Sequence, residues 1–191
     1  LQGQAMMGLS AVTSLNIRVA RTVTSELPAS LRDHILGPFR GLVLVGPPGS
    51  GKTTLLRGVS ALLSRAGKKV AVVDERMEIW PCGTSGFAAP VPLHCDVLSG
   101  CDKQEGILSA LRSLGPQVIL CDELGDAEDF SAVCAGSKGG VSFVCTVHGD
   151  AVEAVEQRFC ATREQLAKSF SCIGLLAGAS HPGVIKQVCW L

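Results

Sequence analysis

The chain has 191 residues, with 17 Lys and Arg against 17 Asp and Glu, so its formal net charge at pH 7 is zero. This length fits one domain with a substantial core, and the absence of a basic block argues against nucleic acid as a main partner. Apolar residues form 47% of the chain and aromatic residues 4%, which favours a parallel sheet of aliphatic residues covered by helices. Its nine cysteines include no Cys-x-x-Cys pair, which indicates free thiols rather than a disulfide framework.

The N-terminal region gives few signals. Residues 14–20 alternate apolar and polar side chains, which predicts a strand, and residues 28–36 predict a short helix that Gly37-Pro38 ends. The first residue is Leu1 rather than Met. We therefore expect residues 1–36 to be the remainder of a longer N-terminal region, and residues 37–191 to form the main domain.

Residues 46–53, GPPGSGKT, match the phosphate-binding loop pattern G-x-x-x-x-G-K-[ST]. Residues 41–45 predict a buried strand before it, and residues 54–63 predict a helix after it. This order brings bare backbone N–H groups and the positive end of a helix to the phosphates. The residues expected to contact the nucleotide are Gly46, Pro47, Pro48, Gly49, Ser50, Gly51, Lys52, Thr53 and Thr54.

Two side chains of the loop have expected roles of their own. Lys52 is expected to reach the β- and γ-phosphates, and Thr53 is expected to ligate Mg²⁺. A second signal is the predicted strand at residues 117–121, which ends in Asp122 and Glu123. Asp122 is expected to hold Mg²⁺ through water, and Glu123 to orient and deprotonate an attacking water. Strands often end in acids, so this pair indicates a site chiefly because a complete phosphate loop precedes it.

Two more predicted strands deliver polar residues to the same edge of the sheet. Residues 70–73 lead into Asp74, Glu75 and Arg76, and residues 140–146 lead toward His148. In open α/β sheets, ligands bind outside the carboxyl ends of the strands. The alternatives are a solvated loop start for the three charged residues and a structural role for the histidine.

The remaining elements are predicted from pattern and caps. Residues 80–93 read as a long irregular loop, Asp102 is expected to cap a helix that runs to Leu114, and Asp126 to cap a helix over residues 127–135. Residues 153–170 look helical in two pieces. Residues 171–177 and 184–191 predict a hairpin at the edge of the sheet.

Several motifs together resemble the family of stage III sporulation protein AA, which is related to the ATPases of type II and type IV secretion. They are residues 14–20, 46–53, 73–79, 96–101, 112–114, 121–125 and 146–149. The resemblance implies an α/β fold with a RecA-like P-loop NTPase core, in which helices flank a mostly parallel sheet. It also implies ATP and Mg²⁺ as cofactors and a motor that acts on a membrane-embedded sporulation channel.

The same resemblance implies a hexameric ring in the cytoplasm, on the mother-cell side, peripheral to the forespore membrane through partner proteins. It implies that residues 74–76 stand at an aspartate box, and His148 at a histidine box. Arg76 or Arg112 would meet γ-phosphate charge, in cis or across a subunit boundary. The resulting catalytic candidates are Lys52, Asp74, Glu75, Arg76, Arg112, Glu123 and His148.

Two features depart from the family pattern. From the given residues we expect the counterpart of the secretion ATPases' N-terminal domain to be short or absent, and residues 99–105 deviate from a Cys-Pro-Lys form. Two other functions remain open from the residues. One is a small P-loop nucleotide kinase or a triphosphatase acting on free nucleotides, although no Arg cluster suggests a kinase lid. The other is a non-catalytic scaffold that binds nucleotide as a switch.

Overall fold

A computed structural model describes residues 27–83, 86–87 and 90–191 of the chain. The strand predicted at residues 14–20 lies outside the described residues. The helices are α1 (Ala29–Leu36), α2 (Lys52–Arg65), α3 (Lys103–Ser109, continued by a π-helical turn at Ala110–Leu114), α4 (Ala127–Lys138), α5 (Glu153–Phe159) and α6 (Arg163–Leu166). The strands are β1 (Gly41–Gly46), β2 (Val70–Asp74), β3 (Cys82–Gly83), β4 (Gly86–Phe87), β5 (Cys95–Ser99), β6 (Val118–Cys121), β7 (Ser142–His148), β8 (Cys172–Leu176) and β9 (Ile185–Trp190).

Seven of these strands form one sheet in the order β5-β2-β6-β7-β1-β8-β9. All neighbouring pairs are parallel except β8 and β9, which pair antiparallel at one edge. β6 and β7 lie between β2 and β1, although they come later in the chain. The strands β1, β7 and β6 therefore end side by side, and the residues that follow them meet at one edge.

The central strands are buried on both faces because helices cover each side. In β1, Val43 and Val45 belong to the core cluster under α3 to α6, whereas Leu42 and Leu44 belong to the cluster under α1 and α2. β2 and β6 show the same alternation between the two clusters. Burial on both faces explains why these strands read as continuous apolar runs rather than as alternating patterns.

Most predicted elements are confirmed, including the parallel sheet, the helices on both faces and the C-terminal hairpin at its edge. Helix α2 begins at Lys52, two residues before the predicted start. The predicted irregular loop at 80–93 contains a small separate sheet, in which β3 and β4 pair antiparallel. No helix in the described part of the chain is both long and apolar enough to cross a bilayer. The domain boundary after residue 36 stays a prediction, although Leu31 and Ile35 of α1 are fully buried in the core.

Gly41, at the start of β1, is expected to tolerate no side chain. A Cβ there would lie 2.7 Å from the backbone oxygens of both Phe143 and Ser169. These atoms belong to packed backbone, so Gly41→Ala should lower the free energy of unfolding by about 1–3 kcal/mol. Denaturant unfolding measures this change.

Gly37→Ala is the matched control, because a Cβ at Gly37 would come no closer than 3.5 Å to any neighbour. Its unfolding free energy should stay within about 0.5 kcal/mol of the wild type. Equal stabilities of the two variants would contradict the packing described for β1.

Candidate nucleotide site

The phosphate loop joins the end of β1 to the start of α2, as the sequence predicts. Gly49 and Gly51 adopt φ values of 74° and 89°, which glycine reaches without strain. A Cβ on Gly46 would lie 2.4 Å from the Ser50 hydroxyl oxygen, so the turn is too tight for a side chain there. Gly51 is the N-cap of α2 and provides no side-chain cap, which leaves the first N–H groups of the helix directed at the loop.

The connection between β8 and β9 packs against this loop. The Gly183 N–H donates to the Ser50 carbonyl oxygen at 2.8 Å. A Cβ on Gly51 would lie 2.4 Å from the Gly183 nitrogen, so the two backbones are in close contact. The edge hairpin therefore supports the phosphate loop from outside, a contact that the sequence did not indicate.

Lys52 directs its ammonium group toward three acceptors at the site. Its Nζ lies 2.6 Å from the Gly46 oxygen, 3.0 Å from the Pro47 oxygen and 3.2 Å from Nδ1 of His148. Burial lowers the pKa of Lys52, while the attraction of the Glu123 carboxylate acts in the opposite direction. An ammonium has three hydrogens to donate, which matches this set of partners.

His148 connects the phosphate loop to the acid pair. Because Lys52 can only donate, Nδ1 of His148 accepts, and Nε2 carries the hydrogen that faces Glu123 Oε2 at 3.1 Å. Arg76 approaches the same oxygen of Glu123 at 3.2 Å. The structure therefore connects four side chains through consecutive polar contacts: Lys52, His148, Glu123 and Arg76.

Asp122 follows β6 and is nearly buried, with 6% of its surface exposed. Its Oδ1 is buried and finds no hydrogen-bond partner among the described residues. Burial raises the pKa of Asp122 to about 6, Lys103 acts against that rise, and Asp74 adds to it. A buried carboxylate oxygen without a partner is suited to meet a cation or its water shell.

Asp74, at the end of β2, holds the backbone that follows it. Its carboxylate is fully buried and accepts N–H bonds from Glu78 at 2.8 Å, Ile79 at 3.0 Å and Trp80 at 2.7 Å. Both oxygens are thus used within the chain. The catalytic role expected for Asp74 stays a prediction. Its contacts show that its carboxylate fixes the conformation of the 77–80 loop.

Glu75 takes part in a charge cluster around Lys103, the first residue of α3. Lys103 Nζ donates to the backbone oxygen of Glu123 and lies 3.5 Å from Glu75 Oε2 and 3.6 Å from Asp129 Oδ2. Burial alone would lower the pKa of Lys103, but Asp129, Asp122 and Glu75 together raise it. The lysine is therefore a cation at neutral pH.

Arg112 is the one catalytic candidate that the described structure keeps apart from the others. It is exposed and lies in the π-helical turn that precedes the loop into the start of β6. That loop is at the opposite edge of the sheet from the phosphate loop, because β6 runs from it toward Asp122. Arg112 therefore cannot reach the phosphate loop of its own chain, and only its role across a subunit boundary stays a prediction.

The residues present fit a magnesium-bound nucleoside triphosphate. Gly46 and Gly51 leave no room for a Cβ in the turn, α2 opens its first N–H groups toward it, and Lys52 lies beside it. Asp122 presents the buried unpartnered oxygen, two strands away from the loop in the sheet order. Thr53 lies in the first turn of α2, where a phosphate-loop hydroxyl ligates Mg²⁺.

Sequence reasoning missed two residues of the site, Lys103 and Asp129. The signal for Lys103 was its position in the first turn of a helix. The helix dipole disfavours a cation there, so a lysine at this position indicates nearby acidic partners. Asp129 gave no comparable signal. It lies in the first turn of α4, where acids are common, and it also accepts the Gly125 N–H at 2.6 Å.

A family profile described as sporulation stage III, protein AA, matches residues 1–189. Stage III sporulation protein AA of Bacillus subtilis strain 168 is 32% identical over 191 residues, which is 95% of this chain and 61% of that protein. The chain therefore spans less than two thirds of the length of this relative.

Two solved structures have a similar fold. The VirB11 ATPase of the Brucella suis type IV secretion system, in complex with sulphate, superimposes with a TM-score of 0.59 at 18% identity. That superposition covers 85% of this chain and 53% of VirB11. The Legionella pneumophila ATPase DotB gives a TM-score of 0.56 at 20% identity, over 78% of this chain and 44% of DotB. At these identities the likeness shows the fold alone.

Asp74→Asn is expected to destabilise the protein by about 2–4 kcal/mol. The NH₂ of the amide cannot accept the backbone N–H bonds that the carboxylate oxygen accepts. Denaturant unfolding measures the loss. Asp96→Asn is the control, since Asp96 is exposed on β5 and should change stability by less than about 0.5 kcal/mol. Unchanged stability of Asp74→Asn would contradict the role of Asp74 in the 77–80 loop.

Asp122→Asn is expected to stabilise the protein once metal has been removed by chelation and nucleotide by dialysis. The folded-state pKa of Asp122 is raised to about 6, so the contribution of this carboxyl to the free energy of unfolding falls as pH rises from about 4 through about 6. The variant should therefore gain on the order of 1–3 kcal/mol at pH 7.5, and the gain should vanish near pH 4. Unfolding curves across this pH range measure it, and a gain that is independent of pH would contradict the assigned burial.

Proposed function

The chain belongs to the sporulation stage III protein AA family, and we propose that it is a Mg²⁺-dependent ATPase that works as a secretion-ATPase-like motor. The observation that carries this proposal is the convergence of a complete phosphate loop after β1, His148 at the end of β7 and the Asp122–Glu123 pair after β6. Lys52 and Glu123 contact opposite nitrogens of the His148 ring. The phosphate loop and the acid pair are thereby joined through the side chain of His148.

The residues divide into those that bind and those that act on water. Lys52 and the backbone N–H groups of the phosphate loop hold phosphate oxygens, while Thr53 and Asp122 hold the cation directly or through water. Bound Mg²⁺ supplies charge neutralisation on the phosphate oxygens. Asp122 suits this role because its Oδ1 has no partner among the described residues.

Glu123 serves as the general base. Its Oε2 accepts from both Arg76 and His148, so the carboxylate has a fixed orientation before any nucleotide arrives. A fixed carboxylate accepts the proton of an oriented water without first reorganising. Arg76 has 61% of its side chain exposed, so its guanidinium can also face phosphate charge or a neighbouring subunit.

His148 links occupancy of the loop to the base. When Lys52 turns one of its three donors toward a phosphate oxygen, its contact with Nδ1 weakens, and the ring can follow Glu123. Binding and hydrolysis are then coupled through a single side chain. In this proposal, the histidine-box role expected for His148 depends on its contacts with Lys52 and Glu123.

At the level of the assembly, we propose a hexameric ring in which residues 37–191 form the ATPase domain and residues 1–36 belong to an N-terminal region. Arg112 would then serve the site of a neighbouring subunit. The ring would act in the cytoplasm on the mother-cell side, peripheral to the forespore membrane, on proteins of a membrane-embedded channel. Nucleic acid is not among the proposed partners, in keeping with the net charge of zero.

Purified protein with ATP and Mg²⁺ is expected to release inorganic phosphate, and Glu123→Gln should lower kcat by about 10²–10⁴-fold while keeping ATP affinity. The amide preserves shape but cannot accept the water proton. A phosphate-release assay gives the rate, and a fluorescent ATP analogue gives the affinity. Glu164→Gln, at an exposed position on α6, is the control and should match the wild type.

Two outcomes would contradict the proposed function. Phosphoryl transfer to a nucleoside monophosphate, in place of release to water, would identify a nucleotide kinase. Tight ATP binding without turnover, even in the assembled full-length protein, would identify a nucleotide-dependent scaffold. Chelation of Mg²⁺ should abolish phosphate release in the wild type, and release that survives chelation would remove the assigned role of Asp122.

A further inference from the structure

Lys103 is a buried lysine whose position needs an explanation. Only 7% of its surface is exposed, and it lies in the first turn of α3, where the helix dipole disfavours a cation. Desolvating an ammonium group is costly unless carboxylates and hydrogen bonds compensate for it. Its partners come from three different elements: Glu75 after β2, Glu123 after β6 and Asp129 on α4.

The surroundings of Lys103 are rich in carboxylates, some of them buried. Asp122 and Asp129 are buried and act on Lys103 together with the partly exposed Glu75. The neighbouring cations differ from it: Lys52 contacts His148, and Arg76, which contacts Oε2 of Glu123, has 61% of its side chain exposed. In the described part of the chain, Lys103 is thus the cation that lies among the buried acids.

Lys103 also holds the backbone that carries the proposed base. The ladder of β6 with β7 ends at Cys121, and the chain rejoins β7 where Leu124 N–H donates to the Thr146 oxygen at 2.9 Å. Between these two points, the backbone oxygen of Glu123 accepts from Lys103. Two sides of this short segment are therefore fixed, one by β7 and one by the lysine.

We propose that Lys103 is a positioning residue, whose ammonium fixes the Glu123 backbone and balances the acid cluster around it. The proposal rests on the proposed function, since it concerns the base of that reaction. Lys103 touches neither nucleotide nor water in this assignment. It acts through Glu123. Its positive charge also lowers the affinity of the surrounding carboxylates for a divalent cation.

Lys103→Met should separate catalysis from cation binding. Turnover should fall by about 10- to 100-fold, because the base is misplaced, while KM for ATP changes by less than about threefold. Affinity for Mn²⁺ in the presence of ADP should rise by about two- to tenfold at pH 8, because a cation beside the acids has been removed. Electron paramagnetic resonance of free Mn²⁺ measures this affinity without any hydrolysis.

Two further variants complete the comparison. Lys103→Arg keeps the charge and a donor, so it should keep wild-type Mn²⁺ affinity and recover much of the turnover. Lys69→Met is the matched control, since Lys69 is exposed immediately before β2 and its substitution should change neither quantity. If Lys103→Met does not fold, Lys103→Met with Asp129→Asn removes one buried charge of each sign, and the same lowered turnover is expected.

The outcomes distinguish this proposal from the function on which it rests. Turnover of Lys103→Met within about twofold of Lys69→Met would overturn the positioning role and leave the ATPase in place. Weaker Mn²⁺ binding in parallel with weaker turnover would also overturn it, because that pattern marks a merely structural lysine. If the wild type releases no phosphate, the proposed function fails, and Mn²⁺ affinity alone decides for Lys103: an increase supports its charge-balancing role, and no increase overturns it.

Discussion

The contact on which the site depends is the His148 ring, placed between Lys52 of the phosphate loop and Glu123 of the acid pair. It exists because β7 lies between β1 and β6, with Gly46 opposite His148 in the register. Three neighbouring parallel strands end at one edge, so residues about a hundred positions apart in the chain come within hydrogen-bond distance. A different strand order would leave the same motifs without a common site.

Charge is the second constraint. The edge of the sheet gathers five carboxylates, and the buried cations among its described residues are Lys52 and Lys103, whose hydrogen-bond and ion-pair partners differ. Buried ionic groups are costly in themselves, and such clusters persist where they serve a site rather than stability. The unpartnered oxygen of Asp122 and the raised pKa of that carboxyl fit an arrangement that is completed by a bound cation.

Much of the fold could be predicted from the residues, because local signals agreed with each other. The apolar runs of β1, β2, β6 and β7, the caps Asp102 and Asp126 and the edge hairpin all occur as expected. The predictions that missed were local in scale. Residues 82–83 and 86–87 pair as two short antiparallel strands inside the expected loop, and α3 ends in a π-helical turn, because both features depend on packing rather than on propensity.

The sequence by itself determined the phosphate loop, its helix and the acids after β6, because each depends on neighbours in the chain whose spacing the chemistry imposes. Only the tertiary structure decided which side chains meet. It separated Arg112 from the phosphate loop of its own chain, directed Asp74 to the 77–80 loop, and brought Lys103 and Asp129 to the acids. The reason is that contacts across a sheet follow strand order and helix direction, which no local pattern encodes.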